Sequence, residues 1–241
     1  MGLDVQYGPV VASVYDSFIA TMLPADGAIR RLRPHLDGAH ALEVGVGTGR
    51  AAVPAAAWAH RLVGVDNSVA MLEEFRLKGV PANVELVEAD VRRPLPFAPG
   101  TFDTAYSLMG SMAYVCSRAE LVEALGHVRD VLRPAATFSL ELYSVAAYRP
   151  LIEQGLFTVP VPHHGGEATF VVSLDEADVM RMDTRLHGGD AAPVEFSERV
   201  LLLDRSDAES CFEAAGLAVE QVFMAEGPQA YDWYVVRRGD A

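Results

Sequence analysis

The sequence is poor in cysteine, in basic residues and in long apolar runs. Its 241 residues include only two cysteines, Cys116 and Cys211, and they lie far apart. The spacing fits neither a disulfide framework nor a CxxC metal or redox site, so we expect a reduced, cytoplasmic setting. The longest uncharged stretch runs from Thr104 to Ser117, which is shorter than the about 20 apolar residues of a membrane-spanning helix.

Positive charge is scarce as well. Lysine and arginine together number 19 against 33 aspartates and glutamates, which gives a net charge of −14. Because an acidic chain repels phosphate groups, we expect no nucleic acid and no anionic membrane as a partner. The first ten residues lack the basic start and apolar run of a secretory signal. No H-x-x-x-H spacing, cysteine cluster or multiple-aspartate pattern predicts a metal site.

Short apolar segments alternate with helical patterns over most of the chain. Such alternation predicts an open α/β sheet with helices on both faces. Capping boxes predict helices that start after Ser117 and after Ser206. The segments that we interpret as buried parallel strands are 41–45, 62–66, 84–87, 104–107 and 137–142.

Two regions interrupt the alternation. Residues 9–33 read as two helices that precede the first strand. Residues 145–204 begin with a helical pattern over Val145–Gln154 and continue with alternating apolar runs. The runs 169–174, 179–186 and 194–203 predict antiparallel strands. No composition change marks a linker, so we predict one domain over residues 1–241.

A glycine-rich segment follows the first strand. Leu42–Arg50 reads L-E-V-G-V-G-T-G-R, and the next strand ends in Asp66 about twenty residues later. Glycines here permit positive φ and let a ligand approach the backbone closely. An aspartate at the tip of the second strand can accept both hydrogen bonds of a ribose diol.

The glycine spacing distinguishes between two cofactor classes. Dinucleotide-binding loops usually read G-x-G-x-x-G, whereas this chain has G-x-G-x-G preceded by Glu43. That pattern resembles motif I of the class I S-adenosylmethionine-dependent methyltransferases. Val87–Val91, with Asp90, and the F-D run at Phe102 resemble later motifs of the same family. Leu132–Pro134 resembles its L-x-P-G-G turn, although Ala135 and Ala136 replace both glycines.

The resemblance implies a Rossmann-like, mostly parallel seven-stranded sheet with helices on both faces. It implies N-terminal lid helices over residues 1–35, a cofactor-binding core over 36–144 and 205–241, and an inserted antiparallel region over 145–204 that is a substrate lid or a dimer surface. The implied cofactor is S-adenosyl-L-methionine, which leaves as S-adenosyl-L-homocysteine. The implied partner is a small-molecule methyl acceptor, and a homodimer is left open.

The resemblance also implies roles for individual residues toward the cofactor. Glu43, Gly45 and Gly47 would surround its methionine part, and Asp66 would hold the ribose. Each role has a plain alternative, such as a helix cap for Glu43, a solvated loop acid for each aspartate or helix core for Met71. The remaining predicted cofactor contacts are Asn67 and Met71 beside the adenine, Asp90 and Val91 at its edge, and Ser107 and Leu108 beneath the sulfonium.

A looser likeness concerns the acceptor. Val14–Asp16 resembles the V-Y-D segment of many small-molecule methyltransferases, in which the N-terminal helix closes over the cofactor. The run Glu195–Arg199 resembles strands of bacterial amino-sugar N-methyltransferases from antibiotic pathways. Tyr15 is therefore predicted to contact cofactor or substrate, although core packing would also explain it. Glu141 and the loop pair His163 and His164 are candidate bases, although a peripheral or merely exposed position is the alternative. Predicted acceptor contacts are Met109, Met112, Tyr114, Tyr143 and Tyr148.

Two other classes of function stay open. A dinucleotide-dependent oxidoreductase usually has the G-x-G-x-x-G spacing and a proton donor such as a Tyr-x-x-x-Lys pair. The chain has neither of these patterns. A catalytically inert cofactor-binding protein would share the same scaffold. Within the methyltransferase interpretation, nitrogen and oxygen acceptors are both compatible with the sequence, because an amine needs only to be neutral whereas a hydroxyl usually needs a base.

Overall fold

A seven-stranded sheet forms the centre of the computed structural model, which describes residues 7–22, 26–176, 178–188, 192–226 and 229–239. The strand order is β10-β11-β5-β4-β1-β2-β3, and all neighbours are parallel except those of β11. This arrangement confirms the predicted open sheet. Its strands are β1 (His40–Val44), β2 (Arg61–Asp66), β3 (Val84–Glu88), β4 (Phe102–Ser107), β5 (Leu132–Tyr143), β10 (Leu217–Phe223) and β11 (Tyr231–Arg238).

Helices cover both faces of this sheet. One apolar cluster joins α2, α3 and α4 to the sheet, and a second joins α5 and α7 to its other side. The helix after the glycine loop is only four residues long, so no long helix N-terminus faces the loop. The helices are α1 (Pro9–Met22), α2 (Asp26–Leu36), α3 (Ala52–Ala55), α4 (Val69–Lys78), α5 (Arg118–Val131), α6 (Val145–Gln154) and α7 (Arg205–Ala214).

A second, antiparallel sheet lies between α6 and α7 in sequence. Its order is β6-β7-β8-β9, with β6 (Leu156–Val161), β7 (Gly166–Glu176), β8 (Val179–Gly188) and β9 (Val194–Leu201). Three of these strands match the predicted runs, but β6 was missed. Pro160 within the strand and Pro162 just after it favour a loop in the sequence. The strand can contain Pro160 because β6 is an edge strand with one unpaired side.

Helix caps decide where two of the helices begin. The Ser117 hydroxyl accepts the Glu120 N–H at 3.2 Å, as the capping box predicted. The predicted cap of α7 was wrong by two residues, because Asp204 accepts the Asp207 N–H at 3.0 Å and the helix starts at Arg205. Ser206 instead donates to the Asp204 carboxylate at 2.8 Å. Either acid or serine can cap a helix, so the sequence offered two adjacent choices.

The N-terminal helix α1 is fastened to the glycine loop and to α4. The Thr48 hydroxyl donates to Asp16 at 2.5 Å, and the Lys78 ammonium pairs with the other Asp16 oxygen. The segment just before α1 is also tied to α4, because the hydroxyl of Ser68, the cap of α4, donates to the Tyr7 carbonyl at 2.7 Å. These bonds hold α1 over the carboxyl ends of β1 and β2. None of the described helices is both long and apolar enough to span a membrane.

Candidate active site

The glycine loop places its backbone against two neighbouring elements. Gly45 has φ of 77°, and a Cβ added there would lie 2.4 Å from the Ser111 Cβ. Gly49 has φ of 84°, and a Cβ there would lie 2.4 Å from the Phe75 ring. Only glycine therefore fits at either position, since both the conformation and the space exclude a side chain. The Gly47 N–H donates to Asp66 at 2.8 Å, which joins the loop to the end of β2.

A first cavity of about 130 Å³ opens at the carboxyl ends of β1, β2 and β3. Its walls are mostly apolar, and its polar groups include the carboxylates of Asp66 and Asp90. Arg92 forms a bidentate ion pair with Asp90, in which Nε donates to Oδ1 at 2.9 Å and Nη2 donates to Oδ2 at 2.7 Å. Further lining residues are Val44, Val65, Asn67, Ala89, Val91, Ser111 and Val115.

A second, smaller cavity of about 50 Å³ lies above the glycine loop. It shares Gly45, Asp66, Ser111, Tyr7 and Tyr114 with the first cavity, so the two adjoin. Residues that line only this one of the two are Tyr15, Val46, Gly47, Thr48, Arg50, Met71 and Met109.

A third cavity of about 320 Å³ lies between the two sheets, and we call it the aromatic cavity. Its wall shares Tyr7, Tyr15, Met109 and Tyr114 with the second cavity. Among its described lining residues, Glu198 carries the single ionisable acid and there is no lysine, arginine or histidine. The other lining residues are Phe18, Ile19, Tyr143, Ala147, Tyr148, Leu151, Phe157, Phe170, Met182, Gln229, Ala230 and Tyr231.

Met109 forms the junction between the second and the aromatic cavities. It is a non-glycine residue with φ of 54°, a conformation that costs energy for a residue with a side chain. Glu141 stabilises it, because its carboxylate accepts the Met109 N–H at 2.7 Å. Strained backbone at a cavity is typical of functional sites. The Arg50 guanidinium also reaches the Met109 sulfur, at 3.7 Å.

Glu198 enters the aromatic cavity from β9. The hydroxyls of Tyr7 and Tyr114 both donate to its Oε1 atom, and those two hydroxyls lie 2.7 Å apart. The Tyr143 hydroxyl lies 3.4 Å from that of Tyr114. Burial raises the pKa of Glu198, although the bonds from Tyr114 and Tyr7 act in the opposite direction.

Burial also sets the protonation of the acids around the glycine loop. It raises the pKa of Glu43 to about 8, against the opposing hydrogen bond from Tyr106, whose hydroxyl donates at 2.7 Å. Burial likewise raises the pKa of Asp66 above its ordinary value, despite hydrogen bonds from the backbone of Ser68 and Gly47. For Asp90 burial acts in the same direction, but hydrogen bonds from Arg92 outweigh it and the pKa is lowered.

A comparison with family models matches residues 41–135 to a family described as "Methyltransferase domain". This part of the chain is therefore similar to methyltransferase domains. The matched range contains the glycine loop, the ends of β2 and β3, and the segment after β4. The cofactor of this family is S-adenosylmethionine, and one solved relative carries it bound. No curated protein sequence matches the chain at a significant level.

Solved structures show that the methyltransferase fold extends over the whole chain. The CcbJ methyltransferase from Streptomyces caelestis aligns over 99% of this chain and 100% of its own, with a TM-score of 0.86 at 20% identity. The sugar N-methyltransferase KedS8 from a Streptoalloteichus species covers 100% and 98%, with a TM-score of 0.72 at 22% identity. The S-adenosylmethionine-bound amino pentose methyltransferase CalS10 from Micromonospora echinaspora covers 98% and 100%, with a TM-score of 0.67 at 22% identity. The similarity confirms the predicted Rossmann-like fold.

Many of the predicted site residues line the three adjoining cavities. Asn67 lines the first cavity, and Met71 lines the adjoining one above the glycine loop. Met71 is buried in the first turn of α4, whereas Asn67 lies exposed just before that helix. The predicted residues that line a cavity are Tyr15, Gly45, Gly47, Asp66, Asn67, Met71, Asp90, Val91, Met109, Tyr114, Tyr143 and Tyr148.

Other predicted residues lie behind the cavity walls. Ser107 is fully buried and its hydroxyl donates to the Val44 carbonyl at 2.9 Å, which adds a side-chain hydrogen bond between β4 and β1. Leu108 and Met112 pack into the apolar core. Glu43 bonds to Tyr106 beneath the loop, and Glu141 supports Met109.

The histidine pair lies on a turn beside α1, away from the lining of the aromatic cavity. His163 is exposed, and His164 is half-buried with its Nδ1 atom 3.4 Å from the Ser17 hydroxyl. Their turn follows β6, and neither histidine is among the described residues that line the three cavities. The geometry therefore gives no support to the pair as bases.

The sequence interpretation overlooked Tyr7, Arg50, Ser111 and Glu198 as site residues. For Glu198 a signal was present: Val194, Phe196 and Val200 alternate on the inward face of β9, and an acid takes the one place between them. A single acid on an apolar strand face predicts a buried, partnered carboxylate. Tyr7 and Ser111 carried no such signal, because only the folded chain brings them to the loop.

Proposed function

We propose that the protein transfers the methyl group of S-adenosylmethionine to a nitrogen or oxygen of a small molecule bound in the aromatic cavity. The observation that carries this proposal is the shared wall of Tyr7, Tyr15, Met109 and Tyr114. Through it the cavity over the methyltransferase glycine loop meets a chamber that is large enough for a small acceptor. A displacement reaction needs its two reactants in such adjoining sites.

The residues present fit this cofactor. Asp66, at the tip of β2, would accept the ribose hydroxyls, and Asp90 with the Val91 backbone would bind the adenine edge in the apolar first cavity. Gly45, Gly47 and Arg50 would hold the methionine part, the arginine serving its carboxylate. When bound, the group supplies an activated methyl carbon on a positively charged sulfur.

The same residues fit a dinucleotide poorly. A diphosphate at a glycine loop is held by free backbone N–H groups. Here the Gly47 N–H is bonded to Asp66, and a carboxylate at that point repels phosphate. In the first cavity the lining guanidinium, Arg92, is paired with Asp90. These contacts favour a nucleoside with a cationic rather than an anionic tail.

The chain's own contribution to the chemistry is positioning and exclusion of water. Phe18, Phe157 and Phe170 close the aromatic cavity on the side of the second sheet. Tyr15 and Met109 separate it from the loop cavity and would set the approach of the acceptor. The alternative of an inert cofactor-binding protein provides no reason for an acceptor-sized chamber at this wall.

We further propose that the acceptor is a specialised metabolite and that the protein works in the cytoplasm. Solved structures with the same fold support the first point by their described roles: one acts on an amino pentose in calicheamicin biosynthesis, and another is a sugar N-methyltransferase. The low cysteine content supports the second.

Thermal unfolding with S-adenosylhomocysteine tests the cofactor. At about 100 times its dissociation constant a ligand adds about 2.7 kcal/mol of apparent stability, which for this size raises Tm by roughly 5–10 °C. We expect that shift for the wild-type protein and its loss in Asp66→Asn, because the amide presents an NH₂ donor where the carboxylate offers its second acceptor oxygen.

Glu88→Gln is the matched control. Glu88 pairs with Asp66 in the β2–β3 register but is exposed and lines none of the three cavities, so its substitution should leave the shift unchanged. A shift with NADH and none with S-adenosylhomocysteine would refute the proposal in favour of the oxidoreductase.

A further inference from the structure

Among the described residues that line the aromatic cavity, Glu198 is the one that carries a carboxylate, and the proposed function gives it no role. Glu198 is 5% exposed, and both of its tyrosine donors bond to the same carboxylate oxygen, Oε1. Among the described residues nothing donates a hydrogen bond to its Oε2 atom, although the side chain lines the cavity. A buried carboxylate with one oxygen unused is an acceptor for a hydrogen-bond donor of the ligand.

The rest of the cavity wall selects the charge of that ligand. Nine aromatic rings line it, at positions 7, 15, 18, 114, 143, 148, 157, 170 and 231, with no cationic side chain among the described lining residues. Ring faces attract cations, and a desolvated carboxylate attracts them more strongly. An anionic ligand would meet Glu198 without a balancing charge, whereas a neutral alcohol would gain from neither effect.

We infer that Glu198 binds the methyl acceptor as a protonated amine and removes its proton before transfer. This inference rests on the proposed function and narrows its acceptor to a basic amine small enough for about 320 Å³. Tyr7 and Tyr114 act as positioning residues, because their hydroxyls hold Oε1 and leave Oε2 for the ligand.

The proposed step transfers one proton and one methyl group. One N–H proton passes from the ammonium group to the Glu198 carboxylate, which becomes a neutral carboxylic acid. The freed nitrogen lone pair forms the new bond to the methyl carbon. The carbon–sulfur bond breaks, its electron pair stays on sulfur, and the positive charge moves from sulfur to the methylated nitrogen. The carboxylic acid then returns its proton to solvent.

The position of Glu198 suits the proton transfer. Tyr7 and Tyr114, which bond to its carboxylate, also line the cavity over the glycine loop. The titratable groups around it are tyrosines: Tyr7 and Tyr114 by hydrogen bond, and Tyr15, Tyr143 and Tyr148 through their charge interaction. Because no cationic side chain is among the described residues that line its cavity, a neutral carboxylic acid is a tolerated product of the transfer.

Calorimetric titration of an amine and an alcohol of equal size tests this inference. The probes are cyclohexylamine and cyclohexanol, titrated into protein saturated with S-adenosylhomocysteine. We expect the wild-type protein to bind the amine about tenfold more tightly than the alcohol, as an ion pair within an aromatic wall predicts. Glu198→Gln keeps the size of the side chain and should reduce that preference to within about twofold.

Glu195→Gln is the matched control, because Glu195 lies on the same strand but faces solvent, and it should keep the full preference. Equal binding of the two probes by the wild-type protein, or a preference that survives in Glu198→Gln, would overturn the inference while leaving the cofactor assignment intact. Failure of S-adenosylhomocysteine to stabilise the wild-type protein would refute the proposed function instead. If Glu198→Gln does not fold, Glu198→Asp, which retains the charge but shortens its reach, must lower the preference about threefold; an unchanged preference would overturn the inference.

Discussion

At the scale of single residues, burial sets the protonation of Glu43, the acid beneath the glycine loop. Glu43 is 2% exposed near the end of β1, and its one side-chain partner among the described residues is the Tyr106 hydroxyl. A carboxylate in this position is costly in its charged form, which is why burial raises its pKa to about 8. Folding and protonation of Glu43 are therefore linked.

The link predicts how stability changes with pH. The folded protein keeps a proton on Glu43 up to about pH 8, whereas the unfolded chain releases it near the ordinary value of 4.5. The contribution of this group is complete below pH 4.5 and is lost as the pH rises toward 8, by a few kcal/mol at most. Urea unfolding from pH 5 to 8 should show this decline in the wild-type protein and a flatter profile in Glu43→Gln. Glu123→Gln, at an exposed site on α5, should keep the wild-type slope, and an identical slope in Glu43→Gln would contradict the assignment.

The first two glycines of the loop, Gly45 and Gly47, differ in what surrounds them. A Cβ at Gly45 meets Ser111 at 2.4 Å, whereas a Cβ at Gly47 meets nothing within 4 Å, although φ is positive at both. We expect Gly47→Ala to cost about 1–2 kcal/mol from backbone conformation alone and Gly45→Ala to cost about 3 kcal/mol, since overpacking is added. Chemical denaturation measures both. Ser111→Gly should recover the overpacking part in the Gly45→Ala background, and equal costs for the two single variants would disprove the close contact.

At the scale of elements, α1 is held in place by polar bonds to the glycine loop and α4 and by the apolar packing of Phe18 and Ile19. Asp16 accepts from Thr48 of the glycine loop and from Lys78 of α4. The helix also covers part of the aromatic cavity through Tyr15 and Phe18. A helix outside the sheet can open locally at lower free energy than the central strands.

We predict that Asp16→Asn loosens α1 selectively. The amide cannot form the ion pair with Lys78, so amide hydrogens of residues 12–22 should exchange several-fold faster while those of β1 and β4 stay protected. Hydrogen exchange read by mass spectrometry measures both regions at once. Ser13→Ala, on the exposed face of α1, serves as the control. Equal acceleration in the sheet would mean that the substitution destabilises the whole protein instead.

At the scale of the whole molecule, the two sheets share one apolar cluster. Phe170 of β7 is 1% exposed and stacks on Phe157 of β6 and on Phe18 of α1, with ring centroids 4.9 and 6.2 Å away. The cluster continues into β5 and α5 of the main sheet. Because the contacts run without a break, we expect both sheets to unfold together.

Phe170→Ala tests this cooperativity. Removing a buried phenylalanine costs about 3–5 kcal/mol. Both tryptophans, Trp58 and Trp233, pack in the other cluster against the main sheet, so their fluorescence reports on a part of the molecule far from the substitution. We expect the fluorescence and circular dichroism midpoints to fall together. A fluorescence transition that stays at the wild-type midpoint would show that the second sheet unfolds on its own.

Local sequence patterns were enough to predict the order of the elements and the glycine loop. Buried parallel strands are continuous apolar runs, and the turns after them need glycine or an acid, so β1, β2 and the positions of Gly45 and Asp66 are local properties of the chain. The alternation of β9 likewise carried Glu198 as an acid on an apolar face. Its partners Tyr7 and Tyr114 are far from it in sequence, and no local pattern joins them.

Which side chains face a cavity depends on long-range packing. Ser107 ends β4 and Met112 lies shortly after it, yet packing against β1 and the core buries both, whereas the left-handed backbone at Met109 directs that residue to the junction. His163 and His164 are suitable bases by chemistry, and the docking of their turn beside α1 keeps them from the aromatic cavity. The chamber itself exists only where the second sheet meets the first, because long-range packing, not local propensity, sets that distance.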